Sequence, residues 1–248
     1  MGIIERKQKE KEKRRHDILK AASKVFLRDG YNNSSMDLIA EEAQLSKGTL
    51  YLYYKTKDDL YASVLLEKAL PTLNKFLKDA ETKAGSIEDK ILNFSLAYYR
   101  YAVNYPEFFN MLNELHSEGS LNLSNIKPET LQSIRKIEED IFKDKLMTFQ
   151  KGIETGIFND DFSTCYALTQ LWLALTGTIQ LLLSIHKSEM FKSLNPEDVV
   201  SDLTKVFIMA YTNSKPLINK FRKDIFNNSR KQAPTHLVDE LHHIKLEI

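Results

Sequence analysis

Apolar residues along this chain recur every three or four positions, and nowhere do they alternate with polar ones over the length of a strand. The pattern predicts an all-α protein. Ile18, Ala21, Ala22, Val25 and Phe26 make the inward stripe of a helix over 14–29, which Gly30 stops. Met36, Ile39, Ala40 and Ala43 predict a second helix, with Ser34 as its cap and Asp37 as the capping-box partner. Gln44 and Leu45 turn the chain. Ser46 then caps a helix of barely two turns, over 47–53. Leu50 and Tyr54 face inward from it, while Lys47, Thr49, Tyr51 and Tyr53 point outward. Thr56 with Asp59 is a second capping box and opens a long helix from Asp58 to about Ala84. Pro71 inside that helix predicts a kink or break near Ala69.

Further helices are predicted over 87–104, 107–117, 128–154, 162–187 and 197–212, with a polar loop over 119–127. A last short helix starts at Pro216, and a polar tail from Asn227 carries His236, His242 and His243. The expected division is a charged arm (1–12), an N-terminal three-helix domain (13–60), a larger helical domain (61–226) and the tail (227–248). Leu168 to Ile185 is the most apolar stretch. Gln170, Thr176, Thr178, Gln180 and Ser184 interrupt it, so it reads as a buried helix and not a membrane span.

Composition changes this picture little. Eight glycines and six prolines in 248 residues favour long helices over turn-rich β structure. The single cysteine, Cys165, excludes an intramolecular disulfide framework and a Cys-rich zinc site. The highly charged first twenty residues are unlike a signal peptide, which predicts a cytoplasmic protein. No HExxH, GxSxG, Cys–His or metal-spaced histidine pattern occurs, so no catalytic residue, metal or cofactor is expected. An enzyme reading would have to rest on scattered residues.

Charge is more informative. The net charge of +1 hides a split, since residues 1–60 carry 13 Lys/Arg against 10 Asp/Glu. The excess lies between Arg6 and Arg15. That arm admits two readings, a solvated charge run or an extension along a phosphate backbone or minor groove. Two short helices at a tight turn, the second showing Lys, Thr, Tyr and Gly, suit insertion into a DNA major groove. A packed helical hairpin with no such role is the alternative.

Between these readings a resemblance decides. From Arg15 to Leu60 the chain resembles, without a gap, the DNA-binding domain of the tetracycline-repressor (TetR/AcrR) family. The match runs through Ile18-Leu19-Lys20-Ala21-Ala22, Phe26, Gly30-Tyr31, Ser34-Ser35-Met36, Ile39-Ala40, Ala43 and SKGTLYLYYKTKDDL. Gln44 departs from it, standing where the family usually has a turn glycine. The resemblance implies an N-terminal helix-turn-helix domain and a C-terminal helical domain for ligand binding and dimerisation. It implies double-stranded DNA contacts from Ser35, Lys47, Gly48, Thr49, Tyr51, Tyr53 and Lys57. Of these, Lys47 and Thr49 would read base edges or nearby phosphates, and Ser35, Tyr51, Tyr53 and Lys57 would hold phosphates.

Past Leu60 the likeness is looser, but KGIETGIFNDDF, LWLALTGTIQLLL and NPEDVVSDLTKVFIMAY are similar to the family's last long helices. These imply a homodimer seam with Trp172, Leu175, Ile179, Leu203 and Phe207. The aromatic-rich helices between are either core or the lining of a cavity for a small apolar or amphipathic effector. Tyr98, Tyr101, Phe108, His116 and Trp172 are the candidate ligand residues. The expected function is that of a ligand-responsive repressor which binds a near-palindromic operator as a dimer. A family-like protein whose main partner is another protein is the competing reading.

Overall fold

The computed structural model describes residues 2–82, 85–117, 121–185, 191 and 193–232. Among these are eleven α-helices: α1 (Ile3–Asn33), α2 (Met36–Glu42), α3 (Lys47–Tyr53), α4 (Lys57–Val64), α5 (Leu70–Glu81), α6 (Ile87–Asn104), α7 (Pro106–His116), α8 (Pro128–Glu154), α9 (Thr164–Ile185), α10 (Pro196–Tyr211) and α11 (Lys215–Gln232). No strand forms among the described residues; one isolated antiparallel bridge pairs Phe158 with Thr212. The helices gather into two compact units, Met1–Lys75 with Asn104–Ile141 and Phe76–Val103 with Phe142–Ile248. The expected domain boundary after Leu60 falls inside α4.

In the first unit, Ile18, Leu19, Ala22, Val25 and Phe26 of α1 are buried together with Ile39 of α2, Leu50 of α3 and Leu60 of α4. Apolar burial at these positions is what holds three short helices that would be marginal alone. Tyr61 receives Phe26 and Tyr31 edge-on, each with ring centroids 4.9 Å away. Gly30 breaks the helical path of α1 with φ 72° and ψ 175°, a backbone setting that favours glycine.

Two local expectations change here and a third takes a definite form. The arm expected over 1–12 is a continuous prolongation of α1, because its Lys, Arg, Glu and Gln residues are good helix formers. Arg6–Glu10 and Gln8–Glu12 also pair at i,i+4, at 3.2 and 3.1 Å. The cap of α2 is Ser35, whose hydroxyl accepts from Leu38 N at 3.2 Å. Ser34 is buried and donates instead to Tyr31 O at 2.7 Å. The long helix from Asp58 is interrupted by a π-turn, Leu65–Ala69, whose following residue Leu70 donates to Leu65 O. Pro71 has no N–H and its ring crowds the preceding turn, so the interruption expected near Ala69 takes the form of a widened turn.

The second unit is built on α6, α9, α10 and the end of α8. Leu168, Leu171, Leu175 and Ile179 of α9 are buried with Val200 and Ile208 of α10 and Phe94, Tyr98 and Tyr101 of α6. At the end of α8, a Cβ on Gly152 would lie 2.3 Å from Phe158 Cδ2, so glycine is what lets the chain turn back there. Asn159 N then donates to Tyr211 O at 2.9 Å and Thr212 Oγ1 to Ile157 O at 2.5 Å. The terminal helix is longer than expected, since α11 runs on through Gln232. His236, His242 and His243 lie outside the described residues.

Candidate nucleic-acid interface

Helix α3 is held from behind and open in front. Ser46 caps it, its Oγ accepting from Thr49 N at 3.1 Å. Leu50 and Tyr54 are fully packed, and Gln44 takes the left-handed turn conformation with φ 55°. On the front, Lys47 and Gly48 are exposed, Tyr51 is 40 % exposed, and Thr49 and Tyr53 are half-buried. Lys47 Nζ is paired with Asp37 on the surface. An exposed pair of this kind is worth little, so a phosphate can replace the carboxylate at small cost. A Cβ on Gly48 would meet only Ser46 Oγ, at 3.9 Å. Nothing inside the protein requires glycine there.

Of the seven expected DNA contacts, six lie on or beside this outward side. Ser35 shares its hydroxyl with the α2 cap. Lys57 is different. Its ammonium donates to Tyr31 O at 2.7 Å and Ser34 O at 3.0 Å, and stands 4.0 Å from the centre of the Tyr31 ring. Burial pushes its pKa below the usual lysine value. In this structure Lys57 ties the end of α1 to the start of α4 instead of standing free for the expected phosphate contact.

Sequence reasoning missed the frame behind α3. Asp58 Oδ1 accepts from Tyr31 OH at 2.6 Å and Asn122 N at 3.1 Å, and Oδ2 accepts from Asn125 Nδ2 at 3.0 Å. Asp59 Oδ1 accepts from Lys127 N at 3.1 Å, and its Oδ2 faces Lys127 Nζ at 2.8 Å. The second capping box is thus half a box: Thr56 Oγ1 accepts from Asp59 N, but the Asp59 carboxylate serves the 122–127 segment. Thr56 Oγ1 also donates to Asn125 O at 2.8 Å, and Lys127 Nζ to Tyr53 O at 3.4 Å. Burial raises the Asp58 pKa, but the bonds from Tyr31, Asn125 and Asn122 outweigh it and hold the carboxyl below its usual range. No short-range pattern announces the partners in the 122–127 segment, which lie more than sixty residues away. Leu52, 77 % exposed on α3, was also passed over. Its signal was present, because it falls two residues from inward-facing Leu50.

The candidate ligand residues do not form one group. Tyr98 and Trp172 meet in the second unit, where Tyr98 OH lies 3.2 Å from Thr176 Oγ1 and accepts from Trp172 Nε1 at 3.4 Å. Tyr101 is fully buried beside Phe76. Phe108 and His116 belong to the first unit. Phe108 stacks on Tyr105, and His116 Nε2 lies 3.0 Å from Glu138 Oε1, which raises the imidazole pKa.

The candidate dimer residues are also redistributed. Leu175 and Ile179 are fully buried within their own chain, so these two supply core and not a seam, while Phe207 is half-buried and packs edge-on to Phe149. Leu203 is half-buried. The open side of α9 instead carries Tyr166 (64 % exposed), Leu173 (67 %) and Leu181 (62 %), with Gly177 on the same side and Val206 exposed on α10. By length and composition α9 could cross a membrane, yet its polar interruptions and buried inner face are those of a packed helix.

Residues 18–64 match the family described as bacterial regulatory proteins, tetR family. The chain is 24% identical over 176 residues to the fatty acid metabolism regulator protein of Bacillus subtilis, covering 69% of this chain and 84% of that one. It is 27% identical over 159 residues to the HTH-type transcriptional repressor NicS of Pseudomonas putida, covering 62% and 69%. The structure of the transcriptional regulator FadR from Bacillus subtilis, in complex with stearoyl-CoA, superposes with a TM-score of 0.60 at 19% identity, over 78% of this chain and 97% of that one. At that identity the likeness bears on fold.

Proposed function

The chain belongs to the TetR family and is a DNA-binding transcriptional regulator, and from that premise we propose that it is a cytoplasmic, dimeric, effector-responsive repressor. Its recognition element is α3. Lys47 and Thr49 address base edges or the nearest phosphates, Ser35, Tyr51 and Tyr53 hold the backbone, and Gly48 lets the duplex approach. Lys57 acts from inside, by fixing the corner. The observation that carries this reading is the contrast between the two sides of α3. Behind, every turn is capped or packed; in front, Gly48 and Leu52 are presented with no internal demand on them, and Lys47 and Thr49 make only surface contacts, to Asp37 and Ser46 Oγ.

Two copies joined along the open sides of α9 and α10, through Leu173, Leu181 and Val206, would present two such helices. The operator is then near-palindromic, with half-sites about one DNA turn, ~34–36 Å, or a small multiple apart. The FadR relative solved with stearoyl-CoA supports an amphipathic acyl effector. The polar trio Tyr98, Thr176 and Trp172, set among apolar side chains, suits its polar end, with Tyr101 nearby in the same unit. An effector releases DNA only by binding the DNA-incompetent state better, and operator must weaken effector binding by the same factor.

The test is a footprint and an anisotropy titration on the DNA flanking the gene. Wild type should protect a near-symmetric site, and a Lys47→Ala, Thr49→Ala, Tyr51→Ala variant that melts normally should bind it at least ~100-fold more weakly, from about 1–3 kcal/mol per base-edge contact. Unchanged affinity in that variant would remove α3 from the interface. Trp172 is the single tryptophan, so its emission should respond to a long-chain acyl-CoA that also lowers operator affinity. Operator release without an emission change would place the effector elsewhere.

A further inference from the structure

The first unit holds a groove of about 620 Å³ between the 123–126 segment and the first three turns of α8. Its volume is within the range of small-molecule sites. Leu123, Ile126 and Leu131 make its apolar part, and Leu123 is 44 % exposed although it is a large aliphatic side chain. Arg135 and Lys136 stand on the α8 side, one turn beyond Leu131 and Gln132, with Glu139 a further turn on. Arg135 and Lys136 have no hydrogen-bond or ion-pair partner among the described residues, whereas Glu139 is engaged elsewhere. An apolar wall beside two uncompensated cations selects a ligand with an aliphatic body and an anionic head.

The place of the groove gives it a consequence. The segment that forms one wall is the one bonded to Asp58, Asp59, Thr56 and Tyr53 O directly behind α3. A ligand that moves Leu123 and Ile126 therefore acts on Asn122, Asn125 and Lys127, and through them on the start of α4 and the end of α3. We propose that this groove is a regulatory site for a small amphipathic anion, coupled to the DNA-reading helix through the 122–127 segment. The coupling half rests on the DNA-binding reading above; the binding half does not.

Octyl sulfate is a suitable probe because its charge does not change with pH, and octanol is its neutral counterpart. Calorimetry on the full chain should show octyl sulfate binding at least ~10-fold tighter than octanol. An Arg135→Glu, Lys136→Glu variant, which alters two exposed side chains, should lose at least ~10-fold in octyl sulfate affinity while melting like wild type. Saturating octyl sulfate should change operator affinity at least ~5-fold in wild type, and less than ~2-fold in an Asn125→Ala, Lys127→Ala variant that still binds the probe.

No heat of binding in wild type, or binding that survives the double charge reversal, would overturn the groove. Quenching of Trp172 with an intact signal in that variant would assign the anion to the second unit and would overturn the groove equally. Binding lost on charge reversal but without any effect on operator affinity would overturn the coupling. If wild type bound no DNA at all, the regulator reading would fail, while the calorimetry would still decide whether the groove is a site.

Discussion

The two units solve the problem of specificity in different ways. In the first, short helices are pinned by a polar frame: Asp58, Asp59, Tyr31, Lys57, Lys127 and the 122–127 backbone bond one another over long sequence separations. In the second, longer helices pack by apolar faces, with few polar pairs inside. Tyr98 with Thr176 is one, and Lys145, buried beside Glu81 and Asp144 with its pKa lowered by burial to about 8, is another. Directional bonds fix a surface that must meet a rigid partner to within a bond length. Apolar faces tolerate repacking.

The largest effect expected from breaking this contrast is in the second unit. Leu175→Glu buries an unpaired charge and should cost roughly 3–5 kcal/mol, enough to abolish a cooperative urea transition. Leu173→Glu, two residues away on the open side, should leave monomer stability within about 0.5 kcal/mol. Sedimentation should nevertheless show it dissociated. If both variants unfold alike, α9 does not have two distinct faces.

In the first unit the comparable lesion is Asp58→Ala. It orphans Tyr31 OH, Asn122 N and Asn125 Nδ2, and should cost roughly 2–3 kcal/mol in a denaturant titration. Because the folded-state pKa of Asp58 is depressed, its contribution is full above the unfolded value, about 3.9, and is lost as pH falls through the lower folded value. Wild type and variant melting curves should therefore converge below about pH 4. A difference that stays constant into acid would detach the effect from the carboxylate.

Two glycines sharpen the comparison at smaller scale. Gly152→Ala gains helix propensity but drives a methyl into Phe158, and overpacking of about 1–3 kcal/mol should leave a net loss in thermal stability. Gly48→Ala meets no such obstacle and should melt as wild type or slightly higher, yet bind operator less well. Equal operator affinity in Gly48→Ala would mean that the duplex does not approach there. Least of all, Gln44→Gly relieves a left-handed non-glycine residue costing about 1 kcal/mol and adds unfolded-state entropy of similar size. Its melting midpoint should move by no more than a few degrees.

What the sequence determined by itself is whatever depends on neighbours within a few residues. The helical class, the caps at Ser46 and Thr56, the turn at Gln44, the inward pair Leu50 and Tyr54, and the outward side of α3 follow from spacing and from hydroxyls next to free backbone N–H groups. The cap at Ser35 rather than Ser34 is a one-residue slip, decided when Ser34 turned to the Tyr31 carbonyl. The tertiary structure decided everything that needs a distant partner. Lys57 has the composition of a phosphate contact, and only the arrival of the Tyr31 and Ser34 carbonyls shows it facing inward. Leu173 and Leu175 are the same residue in the same helix, and only the tertiary packing of α9 tells buried core from open surface. The 122–127 segment looked like an ordinary polar loop, because an amide or lysine that will meet a carboxylate more than sixty residues away leaves no periodic trace along the chain.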